Sequence, residues 1–199
     1  MLCTIFALVI NFLKRFDKGW FLGFLSQLLT LGYALPGVIL AIGIIKFFSF
    51  LDKSFINFFL EATLLGSLLG LMLAYVIKAY ALASNTIESG FQRINFSIDD
   101  VSLSLKKTKF EIFFKIHMPL MKTSILTSLL LVISEVIKEL PATLILRPFN
   151  FDTLAVTTYI YASEERMYEA ASPAIMIVLI GLIPIIFLSK IIRDSRPGS

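Results

Sequence analysis

Three charged residues stand inside an otherwise apolar stretch of this sequence: Glu135, Lys138 and Glu139, closely followed by Pro141. A charge near the centre of a bilayer costs about 2.5–3.5 kcal/mol, so such residues usually face a bundle interior or a water-filled cavity. Glu135 and Lys138 are three positions apart and can pair on a helix, which leaves one carboxylate over. We expect these four residues either to line a cation path, with the helix broken at Pro141, or to form an ion pair that locks two helices.

A second candidate site is a polar, basic segment, residues 97–119, that separates two apolar runs. Ser97 is followed three positions later by Asp100, and Thr108 by Glu111. This is the spacing of a capping box, in which the two side chains satisfy free backbone N–H groups at a helix start. The segment is therefore predicted to contain two short helices, each opened by its own cap.

The second of these helices carries an aromatic stripe. Phe110, Phe113 and Phe114 have the i, i+3, i+4 spacing that puts three rings on one face, and Pro119 is predicted to end the helix. Aromatic rings on a loop of a membrane protein either dock on a partner or lie on lipid head groups.

The sole histidine, His117, lies far in sequence from the sole cysteine, so we expect a solvated interfacial residue and no metal site.

The composition defines the elements that must position these residues. Hydrophobic residues form 57% of the 199-residue chain, the mean hydropathy is +0.87, and charged residues concentrate between long apolar runs. This pattern predicts an all-α, multi-spanning transmembrane helical bundle. The net charge of +4 does not indicate a nucleic-acid partner, because the basic residues sort by connection and not onto one face. A single cysteine excludes an intrachain disulfide.

Five spans are predicted, at about 2–13, 24–50, 56–83, 124–146 and 170–192, although the first is shorter than the roughly 20 residues that a bilayer requires. Basic residues cluster in alternate connections, which decides the orientation. The basic residues in these connections and in the C-terminal tail are Lys14, Arg15, Lys18, Arg93, Lys106, Lys107, Lys109, Lys115, Lys122, Lys190, Arg193 and Arg196. Loop 84–122 and the C-terminus are therefore predicted to be cytoplasmic.

The spans carry packing signals of their own. Ala62, Gly66, Gly70 and Ala74 recur every four residues in the third span and predict a ridge of small side chains that a neighbouring helix can approach closely. In the second span, Pro36 removes a backbone hydrogen-bond donor and predicts a kink. Both features are typical of packed helices, although a gate would use a kink too.

The segment 97–119 resembles the signature cytoplasmic loop of ABC-transporter permeases, in which Glu-Ala-Ala leads through Leu-Gly to Phe and a closing Leu-Pro. The matching positions of this sequence are Asp100, Val101, Ser102, Leu105, Phe113, Met118 and Pro119. Lys106 replaces the glycine of the signature. Glycine can end a helix in the left-handed conformation, which costs lysine roughly 1 kcal/mol or more. We therefore expect the turn at Lys106 to be strained or differently shaped.

Two further stretches resemble the ferric-iron branch of these permeases. They are Leu31 to Gly43, which reads LGYALPGVILAIG, and Lys138 to Ala155, which reads KELPATLILRPFNFDTLA. The resemblance implies a bundle like that of type I ABC importers, with a cytoplasmic coupling helix, in the bacterial inner membrane. It also implies the C-terminal half of a permease, so that residues 1–199 form a single domain that is incomplete at its N-terminus.

The same resemblance implies the partners. A separate cytoplasmic ATPase dimer would hydrolyse ATP, a periplasmic binding protein would deliver Fe(III), and a second permease half or copy would complete the bundle in the lipid bilayer. The residues expected to couple to the ATPase are Asp100, Val101, Ser102, Leu105, Phe110, Phe113, Phe114 and Pro119. The chain itself is expected to bind no cofactor and catalyse no reaction, since it lacks a G-x-x-x-x-G-K-[ST] phosphate loop.

The external connection, Arg147 to Tyr168, is expected to contact the binding protein through Asp152, Glu164, Glu165 and Arg166. Within it, residues 153–162 are predicted to form an amphipathic helix on the outer surface or an ordinary loop.

Thiamine, sulfate or polyamine are alternative cargoes, because permeases for them are relatives of the ferric-iron branch. A proton-coupled secondary transporter and a channel or structural subunit are alternative classes. The capped aromatic helix favours the importer, because a secondary carrier needs no rigid docking helix.

Overall fold

The computed structural model describes residues 1–16, 19–52 and 66–194, apart from the side chains of residues 191, 192 and 194. Those ranges are helical, with no strand, which confirms the predicted all-α class. The helices are α1 (Leu2–Phe16), α2 (Trp20–Leu31), α3 (Gly37–Leu51), α4 (Leu68–Gln92), α5 (Phe96–Ser104), α6 (Lys109–Leu120), α7 (Lys122–Ile137), α8 (Pro141–Leu146), α9 (Leu154–Ser163) and α10 (Met167–Asp194). Lys18, Ala62 and Arg196 lie outside the described residues.

Fewer spans are present in the described ranges than the five predicted. By length and composition, α4 and residues Met167–Lys190 of α10 can each cross a membrane as one helix. Two bent pairs bring the number to at most four: α2 with α3, and α6 with α7. The 15-residue α1 is too short to be a span by itself, because an α-helix rises only about 1.5 Å per residue.

Helices α1, α4 and α7 form the centre of the bundle. Asn11 donates a hydrogen bond to Ser84 (3.0 Å) and Lys14 to Glu88 (3.2 Å), so α1 and α4 run parallel with a constant sequence offset. Helix α7 runs antiparallel to α4. The core between these helices includes Ala7, Leu8, Phe12, Tyr80, Ala83, Ile87, Phe91, Met121 and Val132. Because α1 lies inside this core, its small residues let the helices approach closely.

The predicted kink in the second span is a much larger break. The axes of α2 and α3 differ by 120° across the 3₁₀ turn Gly32–Ala34, so the chain folds back there. A Cβ atom on Gly32 would lie only 2.8 Å from the carbonyl oxygen of Ile77 in α4. Only glycine, which has no Cβ atom, fits so close to this backbone. Pro36 stands in extended backbone directly before α3. The close approach to α4 and the proline together account for the reversal.

The predicted ridge of small residues is shorter than expected. Gly66 has φ +78° and lies in the turn before α4, so it cannot belong to the same helix face as Gly70 and Ala74. Gly70 does pack closely on another helix, since its Cβ position lies 3.4 Å from the Phe48 ring of α3. The ridge is therefore limited to the first turns of α4 in the described ranges.

The fourth predicted span is broken into α7 and α8, and Pro141 is the first residue of α8. Proline is well placed at a helix start, where its missing N–H has no partner to lose.

Residues 153–162, for which the sequence allows a helix or a loop, are helical. Thr153 caps α9 by accepting a hydrogen bond from the Val156 N–H (3.4 Å). Helix α9 then packs along α10 after a three-residue turn, so the external connection is a helical hairpin.

Candidate coupling interface

We call residues 95–121 the coupling segment; it contains α5, the turn at Lys106 and α6. Its first helix begins at Phe96, two residues earlier than a Ser97–Asp100 capping box requires, so that prediction is wrong. The cap is Asn95, whose side chain accepts a hydrogen bond from the Ser97 N–H (3.1 Å). Asparagine is among the strongest N-cap residues, and it satisfies the N–H group that Ser97 could not satisfy from inside the helix.

The second capping box is present as predicted. The Glu111 N–H donates to the Thr108 hydroxyl (3.2 Å), and the Thr108 N–H donates to the Glu111 carboxylate (3.2 Å). The same carboxylate lies 3.0 Å from the Lys115 ammonium and 3.5 Å from that of Lys107. The hydrogen bond from Lys115, aided by that from Thr108, lowers the pKa of Glu111 to about 2.

The turn between α5 and α6 has the left-handed geometry that the sequence predicts. Lys106 has φ +57°, its N–H donates to Leu103 O (2.9 Å), and the Lys107 N–H donates to Ser102 O (3.1 Å). These two bonds define a Schellman motif, in which glycine is the usual residue at the left-handed position. The lysine therefore carries a backbone cost that a glycine would not.

The three aromatic side chains of α6 do not lie on one exposed face. Phe110 and Phe114 are 71% and 49% exposed, with ring centroids 4.5 Å apart. Phe113 instead turns toward the bundle, where its ring centroid lies 4.7 Å from that of Phe12. Adjacent helical residues point about 100° apart, so Phe113 at the edge of the stripe reaches the core while Phe114 cannot. The prediction that the three rings share one face is therefore wrong for Phe113, and docking of the rings on a partner stays a prediction.

Pro119 does not end the helix that contains it. Residues Phe113–His117 form a π-helical turn, the helix continues to Leu120, and the chain bends by 75° only at Met121. A π-helical turn changes the hydrogen-bond partners of the residues that follow, so the missing N–H of Pro119 is tolerated there.

The other residues expected to couple to an ATPase divide by exposure. Ser102 is buried and donates to Ile98 O (2.6 Å), so it shapes α5 from the inside. The exposed members are Asp100, Val101, Leu105, Phe110, Phe114 and Pro119. We call these six residues the docking face. Five of the six carry apolar side chains, and Phe96, Leu103 and Leu120 of the same segment are exposed as well. Exposed apolar groups of this kind are candidates for an interface with a partner.

A buried charged cluster lies on the opposite side of the coupling segment. Arg15 of α1 donates from Nε to Asp99 of α5 (2.5 Å), and both side chains are about 5% exposed. The two Nη atoms of Arg15 donate to Phe91 O (2.7 Å) and Ile94 O (2.8 Å) at the end of α4. The other Asp99 oxygen lies 2.8 Å from Nε2 of His117. Four parts of the chain therefore meet at one guanidinium and one carboxylate: α1, the end of α4, α5 and α6.

His117 is fully buried, which corrects the prediction of a solvated interfacial residue. Its ring lies among aromatic side chains, 5.3 Å from the Phe91 ring and 5.6 Å from the Phe12 ring. Burial lowers the pKa of His117 although Asp99 opposes the shift, and within the described residues Nδ1 has no hydrogen-bond partner. A neutral ring that donates from Nε2 to Asp99 fits these surroundings, because a second N–H at Nδ1 would be unsatisfied.

The intramembrane charges are paired differently from the prediction. Lys138 contacts Glu135 (3.0 Å) as expected, but its side chain is 63% exposed. Glu139 is not left over, because Lys78 of α4 lies 3.3 Å away and the Ala142 N–H donates to the same carboxylate oxygen (3.1 Å). The cavity between these side chains holds about 10 Å³, no more than one water molecule. Of the four predicted path residues, Glu135 and Glu139 line this cavity, and their role in a path stays a prediction.

The residues expected to contact a binding protein fall into two places. Arg166 lies 3.3 Å from Glu164 and 3.2 Å from Glu169, all on the surface at the turn between α9 and α10. Glu165 in that turn has φ +61°. Asp152 pairs with Arg147 at the other end of α9, so it does not join the other three predicted residues.

Sequence reasoning missed the residues that hold the coupling segment. Arg15 was interpreted only as a topology signal, and Lys78 and Asp99 received no role. Two signals were available: an Asp directly before the acidic-small-small triplet, and the sole histidine directly before Met118–Pro119. Neither signal predicts the Arg15 contact, because α1 lies far away in the sequence.

An all-α bundle of apolar helices, two to four of which can cross a membrane in the described ranges, agrees with the predicted multi-spanning membrane protein. The chain belongs to the family of binding-protein-dependent transport system inner membrane components, whose sequence profile matches residues 4–195, and it has that family's type I ABC permease fold. It is 27% identical over 168 residues to the Fe(3+)-transport system permease protein FbpB 2 of Haemophilus influenzae. That match covers 83% of this chain and 31% of the relative, so the chain spans about a third of the relative's length.

Proposed function

We propose that this chain is part of a permease that carries its cargo across the bacterial inner membrane, driven by a separate cytoplasmic ATPase dimer. The observation that carries the proposal is the docking face: exposed Phe110 and Phe114 stand on the capped helix α6, and Val101 and Leu105 of the same hairpin are exposed too. Truncating a buried aromatic anchor in an interface typically costs 2 kcal/mol or more. The chain would bind no cofactor itself, and ATP would be bound by the partner.

In this proposal the coupling segment, within loop 84–122, and the C-terminus are cytoplasmic. The parallel packing of α1 and α4 supports this orientation, because it brings the basic end of α1 next to Arg93. Basic residues favour the cytoplasmic side. The turn with Glu164, Glu165 and Arg166 would then face the periplasm and contact the binding protein, with Asp152 at the base of the hairpin.

The proposed cargo is Fe(III), on the strength of the Haemophilus influenzae relative, with thiamine, sulfate or polyamine as alternatives. Alternating access would require a second permease half or copy, against which this bundle rocks. Glu135, Lys138, Glu139 and Pro141 would line the path only after the contact between Lys78 and Glu139 opens. Carboxylate oxygens suit a hard cation such as Fe(III), and successive weak contacts allow its passage.

The docking proposal is tested by co-purification of the ATPase of the same transport system with the full permease. Phe110→Ala/Phe114→Ala should weaken ATPase association by roughly tenfold or more, since each ring is an exposed anchor. The matched control is Phe149→Ala/Tyr168→Ala, which removes two exposed aromatic rings from the opposite end of the molecule and should leave association unchanged. Unchanged association in the Phe110/Phe114 variant would refute docking through this face. A wild-type permease that transports without any ATPase would favour the secondary transporter.

A further inference from the structure

We propose that Arg15 is a positioning residue for transport: it joins the coupling segment to α1, so that the two move as one body when the ATPase closes. The proposal rests on the proposed function, because it presupposes an ATPase that moves the docking face. Its central residue, Arg15, belongs neither to the signature loop nor to the docking face.

The first argument is the number of elements that Arg15 joins. Its guanidinium uses three different nitrogens to bind Asp99, Phe91 O and Ile94 O, at 2.5, 2.7 and 2.8 Å. It also lies 4.3 Å from the ring centroid of Phe96, the first residue of α5. One side chain of α1 therefore contacts the end of α4, the connection after it and the first helix of the coupling segment. The planar fork of arginine allows this, whereas lysine offers only a single charged point.

The second argument is that Asp99 connects both helices of the coupling segment. One of its oxygens binds Arg15 and the other binds His117 of α6, at 2.8 Å. Movement of α6 relative to α5 would break this contact and leave one buried oxygen of Asp99 and the Nε2–H group of His117 without hydrogen-bond partners. Buried charge-assisted bonds strongly oppose such separation, so α5 and α6 should move together.

The third argument is that α1 connects the cluster to the helices of the bundle. Helix α1 is the element through which the cluster reaches the bundle: the Thr4 hydroxyl lies 3.3 Å from that of Ser128 in α7, and Asn11 donates to Ser84 in α4. The Phe113 ring packs on Phe12, one turn before Arg15. A force on the docking face is thus passed to α1 by polar bonds and by ring packing, and from α1 to α7.

The experiment uses the complete importer, reconstituted in liposomes with its ATPase and its Fe(III)-loaded binding protein. Arg15→Gln alone leaves Asp99 buried without a full partner and can fail to fold. The informative variant is therefore Arg15→Gln/Asp99→Asn, which replaces the ion pair by neutral groups of similar size and should restore membrane abundance. Lys14→Gln is the matched control, since Lys14 is the adjacent basic residue and its pair with Glu88 is partly exposed.

At normal abundance, the double variant should keep ATPase association within about twofold of the wild type, while cargo imported per ATP hydrolysed falls about tenfold, within the usual range of coupling between sites. Arg15→Lys should be intermediate, because it keeps the contact to Asp99 but not both carbonyl bonds. Lys14→Gln should match the wild type. A double variant with wild-type cargo per ATP would overturn the proposal, because the cluster would then serve folding alone. Lost ATPase association would also overturn it, since the cluster would then shape the docking face. The proposed function fails separately, if the wild-type permease binds no ATPase.

Discussion

Two turns of this molecule have the same backbone and very different surroundings. At Lys106 and at Glu165, a non-glycine residue occupies the left-handed position of a Schellman motif, with φ of +57° and +61°. The N–H groups that follow donate to Ser102 O (3.1 Å) and to Tyr161 O (2.9 Å). Each turn joins two helices at an end of the protein. On backbone geometry alone the two turns are interchangeable.

The difference lies in how each hairpin is held. The hairpin at Lys106 is attached through buried Arg15, which binds Asp99 and two carbonyl oxygens. The hairpin at Glu165 has its own arginine, but Arg166 is 47% exposed, and it contacts the neighbouring carboxylates of Glu164 and Glu169 and the ring of Tyr161. A buried, long-range attachment transmits movement, whereas an exposed local one only orders the surface. We therefore assign movement to the first hairpin and recognition to the second.

The largest predicted effect comes from removing each arginine's main partner. Asp99→Ala should destabilise the purified permease by about 3–5 kcal/mol, because it leaves Arg15 buried without its counter-charge. Glu164→Ala should leave the melting temperature unchanged, because the Arg166 pair is exposed to water. Thermal unfolding in detergent measures both. Equal losses in the two variants would remove the distinction between the hairpins.

The intramembrane charges should give an intermediate effect. Glu139→Gln should reduce membrane abundance, with a loss of about 2 kcal/mol, because Lys78 is mostly buried and would lose its partner. Lys78→Met/Glu139→Gln should restore abundance. Glu135→Gln should have a smaller effect, because the Lys138 side chain is 63% exposed and its charge is not buried within the protein. Quantitative immunoblotting of membranes checks these three variants. A larger loss of membrane abundance in Glu135→Gln than in Glu139→Gln would contradict the pairing of Lys78 with Glu139.

These variants also mark what sequence can predict. The Thr108–Glu111 box, the turn at Lys106 and the contact of Glu135 with Lys138 follow from spacings of three or four residues, which a helix brings together. Arg15 and Asp99 are 84 residues apart, and Lys78 and Glu139 are 61 apart. Such contacts depend on which helices pack side by side, and apolar periodicity does not specify that. The inward turn of Phe113 was missed for the same reason, because its partner is Phe12 of α1.

The two left-handed positions provide a smaller, matched test. Lys106→Gly and Glu165→Gly should each stabilise the protein by roughly 1 kcal/mol, because glycine adopts this conformation without strain. Only Lys106→Gly should also tighten ATPase association, by about fivefold, since it pre-orders the hairpin that carries the docking face. Titration of the ATPase against each variant in nanodiscs measures this. Weaker association of Lys106→Gly would show instead that the lysine contacts the partner.

The smallest predicted effect concerns the cap of α6 and depends on pH. The folded pKa of Glu111 is about 2, below its ordinary value of 4.5, so its carboxylate stabilises the fold above pH 4.5 and this contribution is lost as the pH falls toward 2. The melting temperature of Glu111→Gln should therefore lie slightly below that of the wild type at pH 6, with the difference shrinking toward pH 3. Glu165→Gln serves as the control at the other hairpin. A difference that is constant with pH would contradict the role of the charged carboxylate.

The most direct test of the central claim is the distance between the coupling segment and α1 during the transport cycle. Spin labels at Leu103→Cys, an exposed position outside the docking face, and at the exposed Val9→Cys, in a Cys3→Ala background, would report this distance by double electron–electron resonance in the reconstituted importer. We predict one narrow distance distribution, with the same mean in the absence of ATP and with ATP bound, and broadening in Arg15→Gln/Asp99→Asn. A mean that shifts beyond the width of the distribution when ATP binds the wild-type complex would show that the coupling segment moves independently of α1, and would contradict the account.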